Sequence, residues 1–66
     1  MIIIANGRPR EVLADSTVGS LLETLRLPPE QVVVEHNGEP LQRSRFANTR
    51  LAPNDRLEIA QMVGGG

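Results

Sequence analysis

Two Asn-Gly pairs, each placed directly after a short apolar run, constrain the fold of this chain more than any other feature. Asn6-Gly7 follows Ile2-Ile3-Ile4-Ala5, and Asn37-Gly38 follows Val32-Val33-Val34-Glu35-His36. Asn-Gly is the pair best suited to a two-residue type I′ turn, in which both central residues need positive φ. Because the runs before the turns are β-branched, the sequence predicts two β-hairpins.

The strands of these hairpins differ in how much burial their sequences predict. The first run is nearly continuous in apolar residues, which predicts a strand buried on both faces. Its partner is predicted over residues 8–13, where Pro9 fits an edge strand whose missing N–H lies away from the ladder. The second hairpin returns through Glu39-Pro40-Leu41.

One stretch between the hairpins has the period of an α-helix. Four aliphatic residues recur at i, i+3, i+4 and i+7 and form one apolar stripe: Val18, Leu21, Leu22 and Leu25. Ser16 or Thr17 can cap the start, and Pro28-Pro29 is predicted to end the helix. Gly19 indicates a close approach between helix and sheet. Since so short a helix does not persist alone in water, it must pack across a sheet.

The stretch after the second hairpin shows no clean period, and residues 44–47 are predicted to form an irregular or 3₁₀ turn. Phe46, the only aromatic residue, is predicted to fill the core from this loop. After a turn at residues 53–55, the last strand is predicted over residues 56–62. Its side chains alternate between two faces: Leu57 and Ile59 on one, Glu58 and Ala60 on the other.

The order of these elements predicts an α+β fold. A lone helix after a hairpin lies across one face of the sheet. We expect the apolar first strand in the centre of the sheet, between its hairpin partner and the parallel last strand. This arrangement is the ubiquitin-like β-grasp, with a mixed sheet of four to five strands. We expect one domain over residues 1–61 and a flexible C-terminal tail over residues 62–66.

The composition argues against several classes of function. The absence of cysteine rules out a disulfide, a thiolate nucleophile and a sulfur ligand for a metal. A net charge of −1 and a single aromatic residue give neither the charge nor the stacking platforms of a nucleic-acid-binding protein. With no signal peptide and no membrane span, we expect a cytoplasmic protein that binds neither nucleic acid nor membrane.

The titratable residues do not indicate an enzyme. His36 is the single histidine, and no motif places a serine or cysteine nucleophile beside it. Glu35, Glu39 and Asp55 could act as an acid and base pair, but their spacing does not distinguish them from solvated surface carboxylates. We therefore predict no catalytic residue and no metal site.

The end of the sequence, Gly64-Gly65-Gly66, is the most informative stretch for function. Without side chains, Gly64 and Gly65 would let the tail enter a narrow channel. The reactive atom it would offer there is the carboxyl carbon of Gly66, which reacts only after activation, for instance as an acyl adenylate. Three apolar residues beside the tail are predicted to contact partners: Ala60, Met62 and Val63. The alternative for these residues is ordinary strand packing.

Taken over its whole length, the sequence resembles the sulfur-carrier proteins, and most closely the ThiS family of thiamine biosynthesis. The similarity lies in the order of many short segments: Asn6-Gly7, Thr17-Val18 with Leu21-Leu22, residues 34–39, Arg43-Ser44-Arg45-Phe46, Leu51, Asp55, Leu57-Glu58-Ile59 and residues 63–66. Two positions depart from the pattern, since the family often has tryptophan in place of Phe46 and glycine in place of Asn54.

The resemblance implies a chemistry shared among several proteins. An E1-like adenylyltransferase of the ThiF type would use ATP to adenylate Gly66, and a cysteine desulfurase with its sulfur-relay protein would supply the sulfur of a thiocarboxylate. A thiazole synthase of the ThiG type would accept that sulfur for the thiazole ring of thiamine. The chain itself would bind no cofactor.

Several alternatives remain open from the sequence. The same chemistry could serve another recipient, as in the small subunit of molybdopterin synthase or a carrier for cysteine or tRNA thiolation. A ubiquitin-like modifier conjugated to lysines is a second alternative, and an interaction domain with an inert tail is a third.

Overall fold

The computed structural model describes residues 1–62 and contains five strands, one α-helix and two 3₁₀ helices within them. In chain order these are β1 (Ile2–Ala5), β2 (Arg8–Glu11), α1 (Val18–Thr24), η1 (Pro29–Gln31), β3 (Val32–His36), β4 (Glu39–Leu41), η2 (Arg43–Asn48) and β5 (Arg56–Gln61). No helix in this range is long and apolar enough to cross a membrane.

The strands form one mixed sheet in the order β2-β1-β5-β3-β4. β1 and β5 run parallel, and the other neighbouring pairs are antiparallel. The helix α1 packs on one face through three buried residues: Val18, Leu21 and Leu22. The ubiquitin-like β-grasp predicted from the sequence is confirmed, with five strands. β1 lies between β2 and β5 as predicted, but the central strand is β5 and not β1, because β5 also pairs with β3.

Both predicted hairpin turns are present with the expected backbone. Asn6 and Gly7 have φ of 52° and 81°, and Asn37 and Gly38 have φ of 52° and 87°. Positive φ at both central residues is the requirement of the type I′ turn, which asparagine and glycine meet most readily. The two Asn-Gly pairs therefore set the registers of β1 with β2 and of β3 with β4.

The prediction that β1 is buried on both faces is wrong. Ile3 is fully buried, whereas Ile2 on the opposite face is 40% exposed. The reason is that α1 covers only one face of the sheet, and within residues 1–62 no element covers the other. An all-apolar run therefore has one face in the core and one in solvent.

β2 is an edge strand and ends at Glu11, two residues earlier than predicted. The pair of Met1 and Val12 exchanges hydrogen bonds of 2.8 Å, so alternate pairs along this ladder are hydrogen-bonded and the pair of Pro9 with Ile4 is not. The missing N–H of Pro9 therefore lies on the open side, as predicted.

The start of α1 is fixed by Thr17, one of the two predicted caps. The Thr17 hydroxyl accepts from the Ser20 N–H at 3.0 Å, and the Ser20 hydroxyl accepts from the Thr17 N–H at 2.9 Å. This reciprocal capping box satisfies two N–H groups that the first turn would leave unpaired. Phe46, only 4% exposed, completes the core from η2 as predicted.

Gly19 marks a close approach, but to η2 and not to the sheet as expected. A Cβ at this position would lie 3.4 Å from the Ala47 Cα and 3.4 Å from the Phe46 carbonyl oxygen. A methyl group would thus just fit, whereas a larger side chain would force η2 away from the helix and disturb the seating of Phe46.

The end of α1 precedes the prolines that were predicted to end it. The Arg26 N–H donates to the Glu23 carbonyl at 3.0 Å, and the Leu27 N–H donates to the Leu22 carbonyl at 2.9 Å. This pair of bonds is the Schellman motif, in which the residue after the C-cap adopts the left-handed conformation. Arg26 occupies that position with φ of 59°.

Replacing Arg26 with glycine is expected to stabilise the protein by about 0.5–1 kcal/mol. The left-handed conformation costs a non-glycine residue about 1–2 kcal/mol, which glycine avoids. The greater conformational freedom of glycine in the unfolded chain offsets about 0.4–1 kcal/mol of this gain. Urea unfolding measures the difference. Glu23→Gly, within the helix, is the control and should instead destabilise by about 0.5 kcal/mol; the same loss for Arg26→Gly would contradict the assignment.

Candidate functional site

The strand β5 leads out of the sheet into the segment predicted to carry the chemistry. Val63 and the glycines at 64, 65 and 66 lie outside the described residues, so their predicted roles, and the division into a domain and a tail, remain predictions. β5 itself ends at Gln61, one residue before the predicted end. Met62 is 52% exposed, and its N–H donates to the Gln31 carbonyl at 2.8 Å, which anchors the start of the final segment.

Ala60 lies on the face of the sheet opposite α1, close to this exit. In the register of β3 with β5 it is paired with Val33, which is 56% exposed. A shallow cavity of about 420 Å³ is lined here by both residues and by Glu35, Glu58 and Pro40. The predicted contact residue Ala60 therefore belongs to a small apolar surface with carboxylates at its rim.

Val33 belongs to this surface but was not predicted as a contact residue. Its neighbours Val32 and Val34 are both buried, at 3% exposed each. In a run of three identical side chains no alternation is visible, and the exposed one cannot be identified until the covered face is known. The signal that could have found it is the single helix, which can cover only one face.

Asn6 ties the first turn to β5 just before the exit. Its Nδ2 donates to the Ile59 carbonyl at 3.1 Å, and its Oδ1 accepts from the Ile59 N–H at 2.7 Å. The amide side chain thus takes the place of a neighbouring strand where the ladder of β1 with β5 has ended. The sequence indicated only the turn conformation of Asn6, because its second function depends on a partner 53 residues away.

A second polar group lies at the other end of β5. His36 Nε2 is 2.8 Å from Asp55 Oδ2, and Asn37 Nδ2 donates to Asp55 Oδ1 at 3.2 Å. Because a carboxylate only accepts, Nε2 of His36 carries the hydrogen of this bond. Asp55 also accepts from the Ala52 N–H at 2.9 Å, so its carboxylate joins the turn before β5 to the hairpin of β3 and β4.

The sequence did not pair His36 with Asp55, and the structure does. Within residues 1–62 no hydroxyl group hydrogen-bonds to His36, so the pair lacks the third member of a nucleophilic triad. Glu35 lies across from Glu58 on the exposed face, and Glu39 is on the edge strand β4. The geometry gives the pair of His36 and Asp55 a structural function, the fixing of the start of β5.

Substituting Asp55 with asparagine is expected to lower stability at neutral pH and to weaken its dependence on acid. Burial raises the pKa of the Asp55 carboxyl, but hydrogen bonds from His36, Ala52 and Asn37 outweigh it, and the pKa lies below its ordinary value of 3.8. The unfolded chain then binds the proton more tightly, so the stabilisation is full above the unfolded pKa and is lost as the pH falls through the folded pKa.

Urea unfolding of the wild type and Asp55→Asn between about pH 5 and pH 2 measures this effect. The difference in free energy of unfolding between the two proteins should shrink as the pH falls. Asp15→Asn is the control, because this exposed carboxylate makes no side-chain hydrogen bond or salt bridge within residues 1–62, and it should leave the wild-type pH dependence nearly unchanged. A difference that stays constant down to the lowest pH would show that Asp55 does not contribute as a carboxylate.

Comparison with known proteins identifies the family to which this fold and sequence belong. Residues 3–66 match the model of the ThiS family. Over 50 residues the chain is 36% identical to the sulfur carrier protein ThiS of Bacillus subtilis, and the match covers 76% of each chain. It is also 36% and 35% identical over all 66 residues to the thiazole synthases of Paramagnetospirillum magneticum and Magnetococcus marinus. The chain spans only a fifth of the length of these two relatives, at 20% of each.

Solved structures agree with the sequence comparison. The crystal structure of thiamine biosynthesis protein ThiS from Geobacter metallireducens is 36% identical and superposes with a TM-score of 0.84 over the whole of both chains. A solution structure of a thiamine biosynthesis protein from the same organism gives a TM-score of 0.82, with 100% of this chain and 88% of that one covered. The resemblance drawn from the sequence is thereby confirmed, and the chain belongs to the ThiS family.

Proposed function

We propose that this chain is a sulfur carrier of thiamine biosynthesis and that it acts through the carboxylate of Gly66. In the first step a carboxylate oxygen attacks the α-phosphorus of ATP, pyrophosphate leaves, and an acyl adenylate forms. The outer sulfur of a persulfide on the donor protein then attacks the carbonyl carbon and AMP leaves. A thiol of the donor proteins next attacks the other sulfur of the resulting acyl disulfide, so that a disulfide forms and the thiocarboxylate is released. The proposal is carried by the match to the ThiS family, which extends through the glycines to residue 66.

The enzymes that catalyse these reaction steps are the partners of the chain. An E1-like adenylyltransferase of the ThiF type binds ATP and activates Gly66, and a cysteine desulfurase with a relay protein supplies the sulfur. The carrier is their co-substrate in the cytoplasm and contributes no catalytic side chain and no bound cofactor. Gly64 and Gly65 give the tail access to the active sites of these enzymes, because a chain without Cβ atoms needs the narrowest channel.

The acceptor of the sulfur is a thiazole synthase of the ThiG type. Two relatives named thiazole synthase contain a segment similar to the whole of this chain. A segment of this kind within a synthase is held close to it at high effective concentration, which favours transfer between the two. The same pairing between separate chains needs a docking surface.

The exposed apolar surface beside the exit of the tail suits such docking. Ala60 and Val33 form its floor, and Met62 leads from it toward Val63. Burying small apolar side chains next to a tail that enters a channel would hold the carrier in place while its terminus reacts. We therefore assign Ala60, Met62 and Val63 to contacts with the partners.

Intact mass spectrometry tests the function directly. The protein is incubated with its activating enzyme, ATP and a sulfur source, and we expect a mass increase equal to the exchange of one oxygen for one sulfur. Fragmentation should place the change at Gly66. Incubation without ATP is the control. An unchanged mass, with an activating enzyme that loads a known carrier, would contradict the proposal.

A transfer assay identifies the acceptor. The loaded carrier is offered to thiazole synthase and, separately, to the large subunit of molybdopterin synthase. We expect loss of sulfur only with thiazole synthase. Transfer only to the molybdopterin enzyme would overturn the choice of acceptor, and lysine-linked adducts of the carrier in place of sulfur transfer would indicate a protein modifier.

A further inference from the structure

One edge of β5 is open at the point where the chain leaves the sheet. The Met62 N–H donates to the Gln31 carbonyl, so Met62 and Gln31 are a hydrogen-bonded pair of the antiparallel ladder between β5 and β3. Because such pairs alternate along the ladder, the N–H and C=O of Gln61 point away from β3, toward the side of β1. The Asn6 side chain occupies the equivalent groups of Ile59, but among residues 1–62 no group pairs with those of Gln61. An unpaired N–H and C=O at a strand edge form a template for an added strand.

A groove of about 540 Å³ runs beside this open edge on the helix side of the sheet. Leu25, Leu27 and Ile59, all half-buried, supply apolar surface. The charged residues that line the groove are Arg8 and Arg10, both exposed on the edge strand β2. Within residues 1–62 no carboxylate lines the groove, and neither guanidinium forms a salt bridge.

The two arginines point to the same face of β2, because they are two residues apart and side chains alternate along a strand. Their Cα atoms are therefore about 7 Å apart, a spacing that places two guanidinium groups along one extended segment. Guanidinium groups prefer carboxylates, which they bind with paired hydrogen bonds. The occupant that fits is thus extended, apolar on one side and acidic on the other.

We propose that this groove docks an extended, carboxylate-bearing segment of the thiazole synthase that takes the sulfur. The segment pairs with Gln61 at the open edge of β5 and covers the apolar side chains of the groove. Its carboxylates bind Arg8 and Arg10. Because Gln61 leads directly to the tail, the docked segment aligns Gly66 with the acceptor. This inference rests on the proposed function and names the surface that serves its last step.

Charge reversal at the two arginines tests the groove. Arg8→Glu/Arg10→Glu is expected to weaken binding to thiazole synthase by at least about tenfold at low salt. The difference from wild type should shrink as salt is raised, because screening weakens the attraction lost in the variant. Arg43→Glu/Arg45→Glu on η2 carries the same change of charge away from the groove, and its affinity should remain within about threefold of wild type.

Sulfur loading by the activating enzyme separates this inference from the function on which it rests. The groove variant should still be loaded, because the groove is assigned to the acceptor. Equal affinity of both variants for thiazole synthase would overturn the docking proposal. If the wild-type protein is loaded with sulfur, the proposed function would still stand. A groove variant that is no longer loaded by the activating enzyme but still binds thiazole synthase would also overturn the docking proposal. A wild-type protein that is never loaded would overturn both the docking proposal and the proposed function.

Discussion

Deletion of Gly66 is expected to abolish thiocarboxylate formation while the fold remains intact. β5 ends at Gln61, and the buried core residues of the described part lie between Ile3 and Leu57, so we expect the fold to form without the last glycine. Loss of one residue draws the terminal carboxylate back by about 3.5 Å. A misplacement of about 1 Å at a reacting centre can cost about 100-fold in rate, so the shortened tail should not react measurably.

Gly66→Ala separates the length of the tail from its width. The alanine variant keeps the reach of the wild type but adds a methyl group next to the reacting carbon, and we expect it to fail as well. Gly19→Ala is the matched control, because it adds the same methyl group on α1, outside the tail and where a Cβ just fits, and it should be loaded at the wild-type rate. The mass after incubation with ATP and sulfur is the readout, and circular dichroism confirms folding. Normal loading of either Gly66 variant would contradict the assignment of the reacting residue.

Features set by neighbouring residues could be predicted from the sequence. Asn6-Gly7 and Asn37-Gly38 determine their own turns, and the apolar stripe of α1 determines its buried face. With these elements, the rules of connection leave few arrangements of the sheet. The fold class and the family could therefore be predicted before any coordinates.

Features that join distant residues could not. His36 meets Asp55 only because β3 lies beside β5, and Asn6 reaches Ile59 only because β1 ends beside it. Arg26 occupies a left-handed position that sequence rules assign first to glycine. Asn54, where the ThiS family often has glycine, is also left-handed with φ of 70°, which explains that departure: asparagine tolerates the conformation better than most residues.

The candidate site divides along the same line. The reactive terminus could be proposed from the glycines alone, because their chemistry needs no tertiary contact. The surfaces beside it could not, since the exposure of Val33 and the groove next to Arg8 depend on which face the helix covers. A single sequence thus predicts the chemistry available at a chain terminus better than the surfaces that a folded domain exposes.

Phe46→Ala is expected to unfold much of the protein. Removing a buried phenylalanine typically costs about 3–5 kcal/mol, because the lost burial is joined by the cost of a cavity. At about 0.05–0.15 kcal/mol per residue, a chain of this length has a total stability of about 3–10 kcal/mol. Phe46 is 4% exposed and is the core residue contributed by η2. Because it is the only aromatic residue in the sequence, no other aromatic side chain can fill the space.

The loss should be graded with the size of the residue that replaces Phe46. Phe46→Leu keeps most of the volume and should cost clearly less than alanine, while Leu13→Ala, at a residue 82% exposed, should change stability by less than about 0.5 kcal/mol. Urea midpoints of the three variants give the order. A loss for Phe46→Ala as small as that for Leu13→Ala would contradict this prediction, because η2 would then have to move onto α1 and fill the cavity. There is little room for such a movement, since a Cβ on Gly19 of α1 would already lie 3.4 Å from the Ala47 Cα and the Phe46 carbonyl oxygen of η2.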